Sequence, residues 1–125
     1  MAVVGVGIDA VDVVRLRRVL ARRPSLRMRL FTDGELAYAD QARDPTERLA
    51  ARFAAKEAAM KALGRGIGVV RFVDVEVMRS ASGRPGLVLH GTAAARAAEL
   101  GVVHSHVSLT HTATVAEAVV VLEGP

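Results

Sequence analysis

The sequence predicts an α+β fold, a single domain over residues 1–125 with a mostly antiparallel sheet and a long central helix. Three observations predict it. A β-branched run from Val3 to Ile8 opens the chain, an Ala-rich segment from Asp44 to Leu63 carries helix signals, and the second half reads largely as strands separated by turn residues. No repeat, low-complexity tract or linker interrupts this outline.

Taken in order, Val3, Val4, Val6 and Ile8 read as a buried strand ending at Asp9, and Gly5 and Gly7 mark close backbone approach. From Val11 to Arg23, Val13, Leu16, Val19 and Leu20 recur at helical spacing, while Arg15, Arg18 and Arg22 form a basic stripe on another face. Pro24 and Ser25 break that helix. Thr32-Asp33-Gly34-Glu35 has the form of a capping box and predicts a second, short helix. Asp44, Pro45 and Glu47 read as an N-cap, a first-turn proline and a first-turn acid, opening the long helix that runs to Leu63 and stops at Gly64, Gly66 and Gly68. Val69 to Met78 and Leu87 to His90 form a predicted hairpin around Ser82 to Gly86. Thr92 to Leu100 is a helix closed by Gly101, followed by strands Val103 to Thr110 and Val115 to Leu122.

A chain of 125 residues that is 51% hydrophobic can bury one core but hardly two. Aromatics make up 3% and tryptophan is absent, so the core is expected to be aliphatic. Without cysteine there is no disulfide, no thiolate nucleophile and no Cys-ligated zinc, and any metal must sit on Asp, Glu or His. The opening residues lack a basic secretory n-region and no apolar stretch is long enough to span a bilayer, so a cytosolic protein without a membrane role is expected. Lys and Arg total 17 against 13 acids, and the pI near 10.6 suits an anionic partner: nucleic acid, phosphate or an acidic protein.

The long helix carries charge where a core should be. At about 100° per residue, Leu49, Phe53, Met60 and Leu63 form one apolar stripe. Lys56 projects into its middle, Glu57 and Lys61 lie four apart along one edge, and Arg52 flanks the other. Glu57 and Lys61 read equally as an ordinary i,i+4 ion pair, and Asp9 taken alone reads as a helix N-cap. Together, an acid at the end of a glycine-containing strand and an acid on the core edge of a helix form a set that can converge on Mg²⁺. That ion takes oxygen ligands and often only one or two carboxylates. Lys56, Lys61 and Arg52 would then offer cations to a diphosphate, as phosphoryl-type transfer requires. Gly64-Arg65-Gly66-Ile67-Gly68 lacks the Walker pattern and follows its helix, so a glycine C-cap is the better reading. In His106-Val107-Ser108-Leu109-Thr110-His111, strand alternation sends His106, Ser108 and Thr110 to one face and Val107, Leu109 and His111 to the other.

Three blocks carry a resemblance: Gly5-Val6-Gly7-Ile8-Asp9 with Arg15, Ala51-Arg52-Phe53-Ala54-Ala55-Lys56-Glu57-Ala58 through Lys61-Ala62-Leu63-Gly64, and His106 to His111. With the turn Ser82-Gly83-Arg84-Pro85, they make the chain resemble the holo-acyl-carrier-protein synthase family of small 4′-phosphopantetheinyl transferases, over nearly its whole length. The resemblance implies that Asp9 and Glu57 bind Mg²⁺, with Mn²⁺ as a substitute, and that Lys61 contacts the phosphates at the metal. It implies that Arg52, Lys56 and His111 help bind coenzyme A or its 3′-phosphate. The implied reaction is attack by a carrier-protein serine on the β-phosphate of coenzyme A, releasing adenosine 3′,5′-bisphosphate, with either Glu57 or a metal-bound water as base. It further implies a homotrimer with sites between subunits, and an acidic acyl carrier protein docked on Arg15, Arg18 and Arg22, which otherwise read as a solvated face. Ala51 stands where the family often has glycine, which bears on the coenzyme pocket and not on the metal acids. Nucleic acid is the competing partner for the basic helix, but the scarcity of aromatics and the lack of a nucleic-acid motif argue against it.

Overall fold

The computed structural model describes residues 1–64 and 69–125. Along the chain lie β1 (Ala2–Asp12), α1 (Val13–Arg22), α2 (Leu26–Leu30), α3 (Asp33–Ala39), α4 (Thr46–Ala62), a 3₁₀ turn (Phe72–Asp74), β2 (Val75–Arg79), β3 (Pro85–Leu89), α5 (Gly91–Leu100), β4 (His104–His111) and β5 (Val115–Gly124). β1, β5 and β4 form one antiparallel sheet in that order, and β2 and β3 form a separate hairpin. The α+β expectation, with antiparallel strands and a long central helix, is met.

α4 lies against the inner face of the three-stranded sheet, and small residues set the spacing. A β-carbon on Gly5 would stand 1.9 Å from the carbonyl oxygen of Ala62, and one on Gly7 would stand 1.8 Å from that of Ala58. No side chain fits there, so β1 touches α4 backbone to backbone. Around this contact, Ala54, Ala55, Ala58, Met60 and Leu63 bury against Ala118, Val120 and Leu122 of β5. A second cluster joins Val13, Leu16 and Leu20 of α1 to Phe31, Leu49 and Ala116. The core is chiefly aliphatic, as the composition implied.

Several boundaries differ from expectation for identifiable reasons. β1 continues to Asp12, so α1 starts at Val13, two residues later than its periodicity suggested. The N-cap is Asp12, whose carboxylate accepts from the Arg15 amide at 2.9 Å; Asp9 stays in the strand and caps nothing. The capping box of α3 is present as read, with Thr32 and Glu35 each accepting the other's amide. α4 opens at Thr46, one residue past the expected proline, because the Asp44 carboxylate takes the Thr46 amide at 2.9 Å. Leu26–Leu30, given no element from the sequence, is a short helix.

The strand expected over Val69 to Met78 is corrected: it begins only at Val75, after a 3₁₀ turn. Asp74 anchors the turn. Its carboxylate receives the Thr92 amide at 2.9 Å and the Thr92 hydroxyl at 2.6 Å, tying the turn to the start of α5. Burial alone would raise the proton affinity of Asp74, but these hydrogen bonds outweigh it and hold the carboxyl below its ordinary range. Gly64, at φ 70°, follows α4 as a C-terminal glycine should, while the expected roles of Gly66 and Gly68 lie outside the described residues.

On the outer face of the sheet, β1 and β5 carry an exposed apolar strip. Val6 and Ile8 are 59% and 65% exposed, and they pair across the sheet with Val121 and Val119. On β4 the alternation is as expected: Val107 and Leu109 pack on the core, while His106 faces outward and bonds Glu123 at 2.6 Å.

Because no relaxation of a side chain can relieve a backbone clash, Gly7→Ala should cost about 3 kcal/mol or more of stability. Urea unfolding followed by circular dichroism measures it, and a loss under about 1 kcal/mol would mean that β1 and α4 are not in backbone contact.

Candidate active site

The contact at Gly5 and Gly7 fixes what the next inward residue of β1 meets. That residue is Asp9. Its carboxylate lies 3.1 Å from Lys61 Nζ, which also donates to the Ile8 carbonyl at 3.0 Å. Glu57, one helical turn before Lys61, lines the same cavity as Asp9, and the two carboxyls influence each other. Burial, then the hydrogen bond to Asp9 and the repulsion of its charge, push the Glu57 carboxyl up to about 7, with Lys61 opposing. The sequence expectation that Asp9, Glu57 and Lys61 come together is met in the geometry of one chain.

These acids stand at one side of an open cavity of about 630 Å³ lined by Asp9, Arg15, Leu30, Phe53, Glu57 and Phe72 among others. Arg15 thus faces the same space as Glu57. Arg18 and Arg22 continue the stripe along an adjoining shallow groove with Val14 and Val19. Among the described residues, Arg15, Arg18 and Arg22 pair with no carboxylate, whereas the neighbouring Arg17 is held by Asp44.

The other expected cations lie elsewhere. Lys56 is fully buried, 2.7 Å from Glu35 and donating to the carbonyls of Phe72 and Val75, which corrects the expectation that it meets a phosphate. Burial depresses its proton affinity against the opposing pull of Glu35. The helical spacing placed Lys56 correctly in the apolar stripe; what it could not reveal is a buried acid arriving from α3.

Arg52 also turns away from the acids. Its guanidinium stacks 4.3 Å from the centre of the Tyr38 ring, with Arg48 at 4.4 Å and Arg79 at 5.3 Å around the same ring. Arg79 donates to the Tyr38 hydroxyl at 2.9 Å, Arg52 donates to the Arg48 carbonyl, and the buried Arg52 Nε has no acceptor. Burial lowers the proton affinity of Arg52, and the charges of Arg79 and Arg48 lower it further. Arg48, Arg79 and Tyr38 were missed in the sequence. The i,i+4 spacing of Arg48 and Arg52 was the one signal available, and Arg79 reaches them only through the fold.

His111 sits at the end of β4, its Nδ1 3.3 Å from Glu47 at the start of α4. Glu47 precedes Glu57 by ten residues, about 15 Å along the helix axis. Within one chain, His111 is therefore not brought to the acids.

Residues 5–119, a span that contains Asp9, Glu57 and Lys61, match the family model of the 4′-phosphopantetheinyl transferase superfamily. The chain belongs to that superfamily. Among its relatives, the holo-[acyl-carrier-protein] synthase of Streptomyces coelicolor is 52% identical over 124 residues, covering 99% of this chain and 100% of the relative. The crystal structure of the holo-[acyl-carrier-protein] synthase from Neisseria meningitidis superposes with a TM-score of 0.88 at 32% identity, covering 97% of this chain and 98% of that one. The synthase from Bacillus anthracis, solved in complex with CoA (3′,5′-ADP), superposes with a TM-score of 0.83 at 34% identity over 100% of both chains.

For this transferase, the donor set suits a hard cation. Both candidate ligands are carboxylates on the same cavity, and their mutual repulsion, which adds to burial in raising Glu57, is what a divalent ion would relieve. Among the described residues, no cluster of three or more His, Cys, Asp or Glu is poised for a metal, so a third protein ligand is not at hand. Mg²⁺ tolerates that, since water and substrate phosphate complete its octahedron.

The elevated Glu57 has a defined sign in the metal-free protein. Its folded value, about 7, lies above the ordinary 4.5, so the stabilisation from its protonated form is complete below pH 4.5 and lost as pH rises through 7. Carboxyl ¹³C NMR of the metal-free protein should show Glu57 titrating near 7. In Asp9→Ala the midpoint should fall part of the way toward 4.5, with burial keeping the remainder; an unmoved midpoint would separate the two acids.

Proposed function

We propose that this transferase acts as a holo-acyl-carrier-protein synthase over the single domain 1–125, moving 4′-phosphopantetheine from coenzyme A to a serine of an acidic apo acyl carrier protein. Adenosine 3′,5′-bisphosphate is the other product. The observation that carries this reading is the placement of Asp9 and Glu57 on a cavity that Arg15 also lines, with Lys61 held against Asp9.

Asp9 and Glu57 would hold Mg²⁺, or Mn²⁺ in its place, which supplies positive charge to the diphosphate oxygens when bound. Lys61 adds a second positive charge beside the same oxygens, and its bond to the Ile8 carbonyl aims the ammonium along the end of β1. Arg15, Arg18 and Arg22 of α1, exposed and unpaired among the described residues, lead into the cavity, so an acidic carrier steered onto them brings its serine toward Glu57.

Coenzyme A also carries a 3′-phosphate, and the cations gathered on Tyr38 suit it. Arg48, Arg52 and Arg79 crowd one ring without a carboxylate partner among the described residues, and a phosphate would relieve their repulsion. Lys56, held by Glu35, has no part in that binding. Arg52 and His111 would act on the coenzyme bound at a neighbouring copy's acids, in a homotrimer with shared sites. The uncovered apolar strip of Val6, Ile8, Val119 and Val121 supplies a surface for such packing. A cytosolic setting belongs to the same proposal; among the described residues, no helix is long and apolar enough to cross a membrane.

Intact mass spectrometry of an apo carrier incubated with the protein, coenzyme A and Mg²⁺ should show a gain of about 340 Da, the mass of the transferred arm. The gain should vanish with EDTA. Asp9→Ala and Glu57→Ala should each lose turnover by a factor of roughly 10² or more while staying folded, and full activity in both would refute the metal assignment. Light scattering on a sizing column should give a trimer for the wild type and a monomer for Ile8→Glu, with transfer lost in the variant. A monomeric wild type that transfers at full rate would exclude shared sites.

A further inference from the structure

The buried charge pair of Lys56 and Glu35 lies outside the chemistry so far described, yet one end of it holds a wall of the active cavity. Lys56 Nζ binds three partners from three segments: the Glu35 carboxylate of α3, the Phe72 carbonyl of the 3₁₀ turn at 2.9 Å, and the Val75 carbonyl of β2. Glu35 is itself fully engaged. One oxygen takes the Thr32 amide as well as Lys56, and the other takes the Val77 amide at 2.9 Å. The pair thus clamps the 3₁₀ turn and β2 onto α4.

Phe72 is the residue through which this clamp reaches the cavity. Its carbonyl is held by Lys56, and its ring stacks on Phe53 at 5.4 Å between centres, with the planes 22° apart. Both rings line the space that Asp9, Glu57 and Arg15 share. Lys56 and Glu57 are adjacent in α4, so the same helical turn supplies the acid and the anchor for the wall that Phe72 forms with Phe53.

A buried ion pair is a poor way to gain stability. Desolvation of both groups offsets most of their attraction, and apolar residues of similar volume commonly replace such pairs at no loss. What the pair adds over an apolar contact is direction, because an ammonium with three acceptors fixes the turn's rotation as well as its distance. We propose that Lys56 and Glu35 are positioning residues that set the Phe72–Phe53 wall against Glu57, and so govern productive docking of the carrier's serine. This inference rests on the transfer reading above.

The test uses the full chain as Glu35→Gln/Lys56→Met, which removes both charges at near-constant volume and leaves no buried charge unpaired. The protein has three phenylalanines, so uniform 4-fluorophenylalanine labelling gives three ¹⁹F signals, and Phe72→Leu assigns the one from residue 72. We expect the double variant to unfold cooperatively while its Phe72 signal broadens or splits. We also expect its KM for the carrier to rise roughly fivefold or more, a larger change than the fall in kcat. A folded double variant with a single sharp Phe72 signal and an unchanged carrier KM overturns the proposal. Should the double variant not fold, Phe72→Leu decides, because a wild-type carrier KM in that variant shows that the wall does not govern docking. If the wild type modifies no carrier at all, the transfer reading fails, and the ¹⁹F signals still report whether the pair holds Phe72.

Discussion

The carbonyl oxygens of Ala58 and Ala62 lie where β-carbons on Gly7 and Gly5 would be, and the rest of the molecule is arranged around that contact. Two glycines on alternate positions of a strand and two alanines one turn apart on a helix bring backbone onto backbone, closer than ordinary side chains permit. The consequence is directional as well as steric. With residues 5 and 7 pressed on the helix, residue 9 is the next to point inward, and Glu57 and Lys61 each immediately precede one of the two contact alanines, about 100° round on the helix edge. The acids converge because a packing constraint a few ångströms away leaves them nowhere else to go.

The same geometry explains how neighbouring residues of α4 acquire opposite fates. Lys56 and Glu57 differ by about 100° around the helix axis. One points down into the layer formed by α3 and β2, where only a fully bonded charge can survive; the other reaches the rim of a cavity, where partial burial and a second carboxylate keep it poised between protonation states. The scarcity of aromatics gives this division more weight. With three phenylalanines in the chain, all three stand beside the pair, Phe31 with its ring centre 5.8 Å from Lys56 Nζ and Phe53 and Phe72 stacked beyond it. The polar centre of the core and its aromatic centre are one place, which makes α4 both scaffold and active-site element.

What could be read from the sequence follows from how local each cause is. The long helix, the strands of the three-stranded sheet and the Thr32–Glu35 capping box rest on periodicity or on groups within four residues, and they were legible. The 3₁₀ turn was not, since Asp74 finds Thr92 eighteen residues onward and no pattern within Val69 to Met78 announces it. Asp12 rather than Asp9 caps α1 for a similar reason: β5 pairs with β1 through Asp12 and so decides where the strand ends. The candidate acids were legible as a pair because a glycine-punctuated strand and a charged edge on an Ala-rich helix are both local features. So was Lys61 beside them, but the partners of Lys56 and Arg52 were not. Glu35 looked fully accounted for as a cap, although a carboxylate has a second oxygen free to reach β2 and Lys56, and Arg79 joins Arg48 and Arg52 only through the hairpin.

One asymmetry organises the remaining cations. Arg52 precedes Glu57 by five residues, about 140° around α4 and 7.5 Å along it, so the arginines on Tyr38 and the acids beside Lys61 cannot face one small ligand within a single chain. His111, held at Glu47, belongs to the arginine end of the helix. Under the proposed function, a donor with a diphosphate at one end and a 3′-phosphate near the other must meet both sets. A chain whose acids and arginines point in divergent directions satisfies this only if another copy presents its arginine face. The uncovered strip on β1 and β5 lies on the side of the sheet opposite α4, so packing copies through that strip leaves both faces of the helix open to exchange roles. Within the proposed trimer, the exposed valines and isoleucine of the outer sheet and the split placement of charge on α4 are therefore two expressions of a single requirement.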